Sequence, residues 1–80
     1  MKKPTVHPDA FVAFNATVRG DVRIGEGASI FYGAVLRGDR APITIGPGSN
    51  IQENCVVHVE YDLPVVLGRD VTVGHGAILH

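Results

Sequence analysis

The sequence predicts an all-β fold, a parallel β-helix of hexapeptide repeats with about four triangular coils. Two observations predict it. Isoleucine, leucine or valine recurs at every sixth position through three blocks of the 80-residue chain. The residue three positions after each of them is glycine, asparagine or aspartate, with Glu60 as the exception. The residue after that one is small or aliphatic, with Arg40 and Tyr61 as the exceptions. A six-residue unit of this kind cannot bury its apolar side alone, so successive units must stack.

Each unit is predicted to be a short strand followed by a corner. Alternation along the strand points the repeated aliphatic residue and the residue two places before it inward, and their neighbours outward. Glycine, asparagine and aspartate suit the corner because they tolerate positive φ. No 3.6-residue apolar stripe persists, which argues against helices. The repeated residues fall on three faces: Val6, Ile24, Ile45 and Leu67 on face A; Val12, Ile30, Ile51 and Val73 on face B; Val18, Leu36, Val57 and Leu79 on face C.

Two insertions interrupt the repeat, and both are predicted to be loops. Three extra residues lie around Arg40 and Pro42, and four lie within residues 60–64. Loops that leave a regular scaffold often carry function. The chain contains no linker or low-complexity run, so we expect residues 1–80 to form one domain.

The composition argues against several classes of protein. A net charge of −1 argues against binding to nucleic acid or to a membrane surface. No apolar run is long enough to span a bilayer. The first residues lack the apolar segment of a secretion signal, so we expect a cytoplasmic protein. The single cysteine, Cys55, excludes an internal disulfide, and its inward position predicts a small core residue.

Stacking of the coils predicts one outward column on face C. It contains Arg19, Arg37, His58 and His80. Neighbouring coils lie ~4.8 Å apart, so His58 and His80 could share a metal ion, although the same column fits a plain surface ladder. His75 lies on a corner and is expected to point away. It would reach such an ion from a neighbouring chain, and three chains around a three-fold axis would form three sites.

Polar residues surround the predicted column. Arg37 and Asp39 should pair if a subunit interface desolvates them. Gln52 points outward on face B and could hold a reactive water, and Glu60, in the second insertion, could carry protons. Each of these residues could equally be an ordinary solvated side chain. His7 lies on face A, away from the column, and is assigned no role.

Three segments carry a family resemblance. Asn50-Ile-Gln-Glu-Asn-Cys-Val-Val-His58, Val73-Gly-His-Gly-Ala-Ile-Leu-His80 and Leu36-Arg-Gly-Asp39 resemble the γ-class carbonic anhydrases. The resemblance covers nearly the whole chain and implies a left-handed β-helix. It also implies a homotrimer that binds zinc, or else iron or cobalt, between its subunits. The ligands that it implies are His58, His75 and His80, with His75 donated by the neighbouring chain.

The resemblance implies further roles and shows departures. Gln52 corresponds to the glutamine that orients the reactive water, and Arg37 and Asp39 correspond to an interface pair. Arg40 stands where the best-studied type has glutamate, and the acidic loop is short, leaving Glu60 as the carboxylate available for proton transfer. Family chains are longer, with more coils and a C-terminal helix. We therefore expect an N-terminal portion, whose open last coil invites association beyond a trimer.

These observations predict a function. The leading hypothesis is metal-dependent hydration of carbon dioxide to bicarbonate at a three-histidine site between subunits. Two alternatives remain, a metal-dependent thioesterase acting on coenzyme A esters, and a truncated or engineered β-helix fragment with weak or no activity. Acyltransferases with this fold usually rely on one histidine, so a three-histidine set argues against them.

Overall fold

A computed structural model describes residues 2–80, and all the regular secondary structure within them is β-strand. Within that range no helix has the length and apolar character needed to cross a bilayer. The strands are β1 (Thr5–Val6), β2 (Phe11–Val12), β3 (Thr17–Ile24), β4 (Ser29–Ile30), β5 (Val35–Ile45), β6 (Asn50–Ile51), β7 (Val56–His58), β8 (Val65–Leu67), β9 (Thr72–Val73) and β10 (Ile78–Leu79).

Parallel pairing joins each strand to the strand one coil later, as stacked units require. On face B the order is β2-β4-β6-β9, with Ile30 opposite Ile51 and Ile51 opposite Val73. Faces A and C merge into one six-stranded sheet because β3 and β5 run through the corner between them. Its order is β1-β3-β5-β7-β10, and β8 pairs with the second half of β5. The predicted all-β coil architecture and register are therefore confirmed.

The inward side chains fill the interior of the prism. Cys55 is fully buried, as its position predicts. Ser49 is the one polar residue in the buried set, and its hydroxyl donates to the Gly68 carbonyl at 2.6 Å and accepts from the Val71 amide at 2.9 Å. Those two bonds compensate its burial. The fully buried aliphatic residues include Val22, Ile30, Leu36, Ile43, Ile45, Ile51, Val57 and Val59.

The corners link successive coils. The Asp9 carboxylate accepts a hydrogen bond from the Gly27 amide at 2.9 Å, and the Asn15 side chain accepts one from the Gly33 amide at 3.0 Å. Each of these bonds joins a corner to the same corner one coil later. Corner side chains thus help to set the register of the stack.

The two insertions are more ordered than loops. The first was predicted as a loop around Arg40 and Pro42, but it lies within the extended backbone of β5. After it, Ile43 takes the inward position between Val22 and Val65. The second is a tight turn, in which the Leu63 amide donates to the Glu60 carbonyl at 3.0 Å. Both insertions return the chain to the register of the coil below.

Candidate metal centre

The predicted column on face C is present. His58 ends β7 and lies opposite Arg37 of β5, and His80 follows β10, which pairs with β7. The imidazole rings of His58 and His80 are stacked, with centroids 5.3 Å apart and an angle of 7° between the ring planes. Parallel pairing of β7 with β10 therefore holds the two imidazoles next to each other on the outer surface of the prism.

A carboxylate at the corner just before the first insertion contacts the lower histidine. Asp39 Oδ1 lies 3.2 Å from His58 Nε2, and Arg37 Nη1 donates to Asp39 Oδ2 at 3.3 Å. The His58 side chain is only 15% exposed, so this contact is shielded from bulk water. The Arg37–Asp39 pair anticipated from the sequence is formed, and the structure adds that Asp39 links Arg37 to His58.

A carboxylate from the second insertion contacts the upper histidine. Glu60 Oε2 lies 3.0 Å from His80 Nε2, and Glu60 Oε1 accepts a hydrogen bond from Arg40 Nη1 at 2.8 Å. The Arg40 guanidinium in turn lies 5.3 Å from the centroid of the Tyr61 ring. The contact with His80 and then the bond from Arg40 hold the pKa of Glu60 below its ordinary value. Glu60 is therefore a carboxylate anion at neutral pH.

These side chains form a donor set suited to a divalent metal. One ligand atom each from His58, Glu60 and His80 lie within 4.8 Å of one another. Metal–ligand bonds of ~2.0–2.2 Å require these atoms to move closer, which an exposed histidine and an exposed glutamate can do. Two imidazoles and a carboxylate suit zinc and ferrous iron, so the residues present fit the metal that the resemblance implies.

Two predicted site residues lie away from this cluster. His75 is on the corner after β9, its side chain is 74% exposed, and its Nδ1 lies 2.9 Å from Glu53 Oε1. Gln52 follows β6 on face B. The repeat explains both positions, because it places His75 on a corner and Gln52 on face B, whereas His58 and His80 are on face C. His7 pairs with Asp9 at 2.7 Å on face A, in keeping with its having no assigned role.

A shallow pocket of about 410 Å³ opens beside the upper histidine. Its walls are Glu60 and His80 on one side and Leu63, Pro64 and Val65 on the other. The carboxylates of the second insertion were predicted from the sequence, but the apolar wall was not. The Leu63-Pro64-Val65 run was the available signal, because adjacent apolar residues at the end of a surface insertion are unusual among solvated loops.

Comparison with known proteins supports the predicted family. No protein-family model matches the sequence. The chain is 52% identical to γ-carbonic anhydrase 3, mitochondrial, of Arabidopsis thaliana and 46% identical to a carbonic anhydrase of Geobacillus kaustophilus, in each case over 99% of its length. It spans 33% and 43% of those two relatives. The crystal structure of a hexapeptide transferase family protein from Anaplasma phagocytophilum is 53% identical and superimposes with a TM-score of 0.91 over 96% of this chain and 45% of its own.

The stacked parallel coils and this structural likeness define a left-handed parallel β-helix of hexapeptide repeats. The homologues of the chain are γ-class carbonic anhydrases and hexapeptide transferase family proteins, at 46–53% identity over nearly its whole length. The chain covers less than half of each relative described above. This likeness alone therefore leaves the choice of reaction to the chemistry of the site.

Proposed function

We propose that the chain forms the metal site of a carbonic anhydrase-like enzyme that hydrates carbon dioxide to bicarbonate. The observation that carries this proposal is the stacked pair of His58 and His80, with Glu60 at the Nε2 atom of His80. The identity of 46–52% to proteins named carbonic anhydrase supports the choice of substrate. Zinc is the proposed metal, and iron or cobalt would suit the same donors.

His58 and His80 would hold the metal from one chain, and His75 of a neighbouring copy would complete a three-histidine set. When bound, the metal supplies a Lewis acid that lowers the pKa of a water molecule toward ~7. His75 suits donation to a neighbour because it stands on an exposed corner rather than in the column of its own chain. Each site would therefore lie between two subunits.

The surrounding side chains would position the reactants and move protons. Arg37 holds Asp39 beside His58, where the carboxylate can accept a hydrogen bond from the reacting water. Glu60 reaches both His80 and solvent, so it can take up a proton at the site and release it outside. We assign the orientation of the water to Gln52 by its position in the motif. Arg40, bonded to Glu60, would restrain that carboxylate.

The surface supports a trimer as the assembly. The corner after face B carries a second outward column, which contains Phe14, Tyr32, Glu53 and His75. In this corner column the Phe14 and Tyr32 rings are 6.1 Å apart, and His75 contacts Glu53. A three-fold axis parallel to the β-helix brings residues at equal heights on neighbouring copies together. The columns are then complementary at each coil: Phe14 with Arg19, Tyr32 with Arg37, Glu53 with His58, and His75 with His80.

These matched pairs make the trimer testable. Aromatic rings attract guanidinium groups, and Phe14 is 92% exposed in the single chain. Replacing Phe14 and Tyr32 together by serine should convert a trimer to monomers in light scattering. Val66→Ser is the matched control, because Val66 is 69% exposed on face A. Equal masses for the double variant and the control would exclude this interface.

Bound-metal content and carbon dioxide hydration, measured on the same sample, test the proposed reaction. The purified chain should contain stoichiometric zinc or iron, and His80→Ala should remove both the metal and the activity. His7→Ala is the control, because His7 lies on another face and should leave both unchanged. An unmutated protein without bound metal, or a His80→Ala variant with unchanged hydration, would contradict the proposal.

Two observations favour a second candidate. A structural relative is named a hexapeptide transferase family protein, and the pocket beside Glu60 has an apolar wall. Hydrolysis of an acyl-coenzyme A thioester at the same site is therefore the alternative activity. Release of free coenzyme A that is lost in His80→Ala, without carbon dioxide hydration, would identify a thioesterase. Bound metal with neither activity would indicate a portion of a β-helix that is inactive by itself.

A further inference from the structure

We propose that Glu60 is a metal ligand, so that a single chain holds a divalent cation through His58, His80 and Glu60. This inference rests on the metal site of the proposed function. It adds a donor that the three-histidine set does not contain, and it reserves the proton transfer proposed for Glu60 to the assembled site, where His75 of a neighbouring copy takes over as the third ligand. It also separates metal capture, which one chain can perform, from the assembly that brings in His75 of a neighbouring copy.

The backbone places Glu60 on the histidine surface. Glu60 lies two residues after His58, and alternate residues of an extended chain point to the same side. Val59, between them, is fully buried, which confirms the alternation at this point. The antiparallel bridge between Glu60 and Leu63 then fixes the residue at the start of a tight turn. The carboxylate is therefore held in position by the fold rather than carried on a loose loop.

The contacts of Glu60 leave one oxygen suited to coordination. Oε1 is held by Arg40, and Oε2 faces His80 Nε2 at 3.0 Å. A metal ion between Glu60 Oε2 and His80 Nε2 would replace that contact, and Arg40 would keep orienting the carboxylate from behind. Metal-binding side chains commonly have a hydrogen-bond partner that does not touch the metal, and this partner fixes the orientation of the ligand. Arg40 would be that partner for Glu60.

The single chain needs a third donor. His75 of the same chain is on the corner and pairs with Glu53, so without Glu60 only two imidazoles face the ion. Two histidines and one carboxylate are an established ligand set for zinc and for ferrous iron, and they leave positions open for water and substrate. The charge also favours it, because an anionic carboxylate offsets the charge of a divalent cation.

Cobalt(II) titration followed by visible absorption, with zinc competition, tests this ligand. His75→Ala removes the donor of the neighbouring copy and should weaken, but not abolish, cobalt binding, because the three donors of the single chain remain. Adding Glu60→Gln to His75→Ala should lower the affinity at least ~10-fold, the lower end of what loss of a metal-supporting group costs. Adding Asp62→Asn instead should have no effect, because Asp62 is an exposed carboxylate of the same turn and lies outside the cluster.

The outcomes separate this inference from the proposed function. If Glu60→Gln binds cobalt as tightly as its parent, while His58→Ala and His80→Ala do not, the histidine site stands and Glu60 is not a ligand. If His58→Ala and His80→Ala also leave binding unchanged, the proposed metal centre itself is wrong. Circular dichroism confirms the fold of each variant. A crystal structure of cobalt-loaded His75→Ala provides a measurement without a Glu60 substitution, and a Glu60 carboxylate outside bonding distance of the ion would overturn the inference.

Discussion

The His58 and His80 rings stack 5.3 Å apart on successive coils, and each contacts a different carboxylate. Asp39, at the corner just before the first insertion, reaches the lower ring, and Glu60, in the second insertion, reaches the upper one. The imidazole pair thus lies between two anionic groups. This arrangement attracts a cation and gives the Nε2 atom of each ring a carboxylate partner.

Arg40→Gln should strengthen metal binding. Arg40 holds one oxygen of Glu60 and places a positive charge next to the donor set. Glutamine keeps a hydrogen-bond donor and removes that charge. We expect the affinity for cobalt to rise by no more than about fivefold, because an exposed ion pair is weakened by solvent. Arg69→Gln, at another exposed site, is the control for net charge. A weaker affinity in Arg40→Gln would show that orientation by Arg40 outweighs repulsion.

Ser49→Ala should destabilise the chain. The buried Ser49 hydroxyl bonds the Gly68 carbonyl and the Val71 amide, and its loss would leave both without that partner. We expect a decrease of ~1–3 kcal/mol in the free energy of unfolding, measured in urea. Ser29→Ala, in a partly exposed strand position, provides the comparison. Similar midpoints for the two variants would show that the Ser49 bonds contribute little.

Gly20→Ala should be more damaging than Gly74→Ala. Gly20 has a φ of +86°, and a Cβ atom there would lie 2.4 Å from the Gly38 carbonyl oxygen. A Cβ atom at Gly74 would meet no atom within 4 Å. We expect at least ~2 kcal/mol of destabilisation for Gly20→Ala, from strain and from the forced separation of two coils. Thermal unfolding of both variants measures this difference, and equal melting temperatures would be inconsistent with close packing at this corner.

Ile43→Ala should reveal whether the segment after the first insertion belongs to the core. Ile43 is fully buried, and we expect a loss of ~2–5 kcal/mol in the free energy of unfolding. Val66→Ala, on the outer surface of the neighbouring strand β8, should change it by less than ~0.5 kcal/mol. If the Ile43 variant were as stable as the Val66 variant, the segment would not pack inward in solution.

The repeat was sufficient to predict the fold and the histidine column. A period of six, with inward and outward alternation, determines which residues stack once the insertions are set aside. His58 and His80 are adjacent for that reason alone, and the same register accounts for Arg37 below them. Handedness could not be obtained this way, because the spacing of a triangular coil is the same for both hands. It came from the family resemblance.

The contacts of the insertions could not be predicted from the repeat. The positions of Asp39 and Glu60 relative to the rings depend on how each insertion turns, and a six-residue period contains no information about that. The extended course of β5 and the burial of Val59 were missed for the same reason. Composition offered one hint, since Ala41 in the first insertion and Ile43 just after it are apolar residues that pack on or in the core.

Both insertions occur at the same edge of the prism, where the chain passes from face C to face A. They differ in length, yet Ile43 and Val65 return to adjacent rungs after them, and His58 stays in line with His80. Residues can therefore be inserted or deleted at this edge without displacing the rest of the molecule. Gene variation concentrated at this edge would alter the acids that face the two histidines while preserving the histidines themselves.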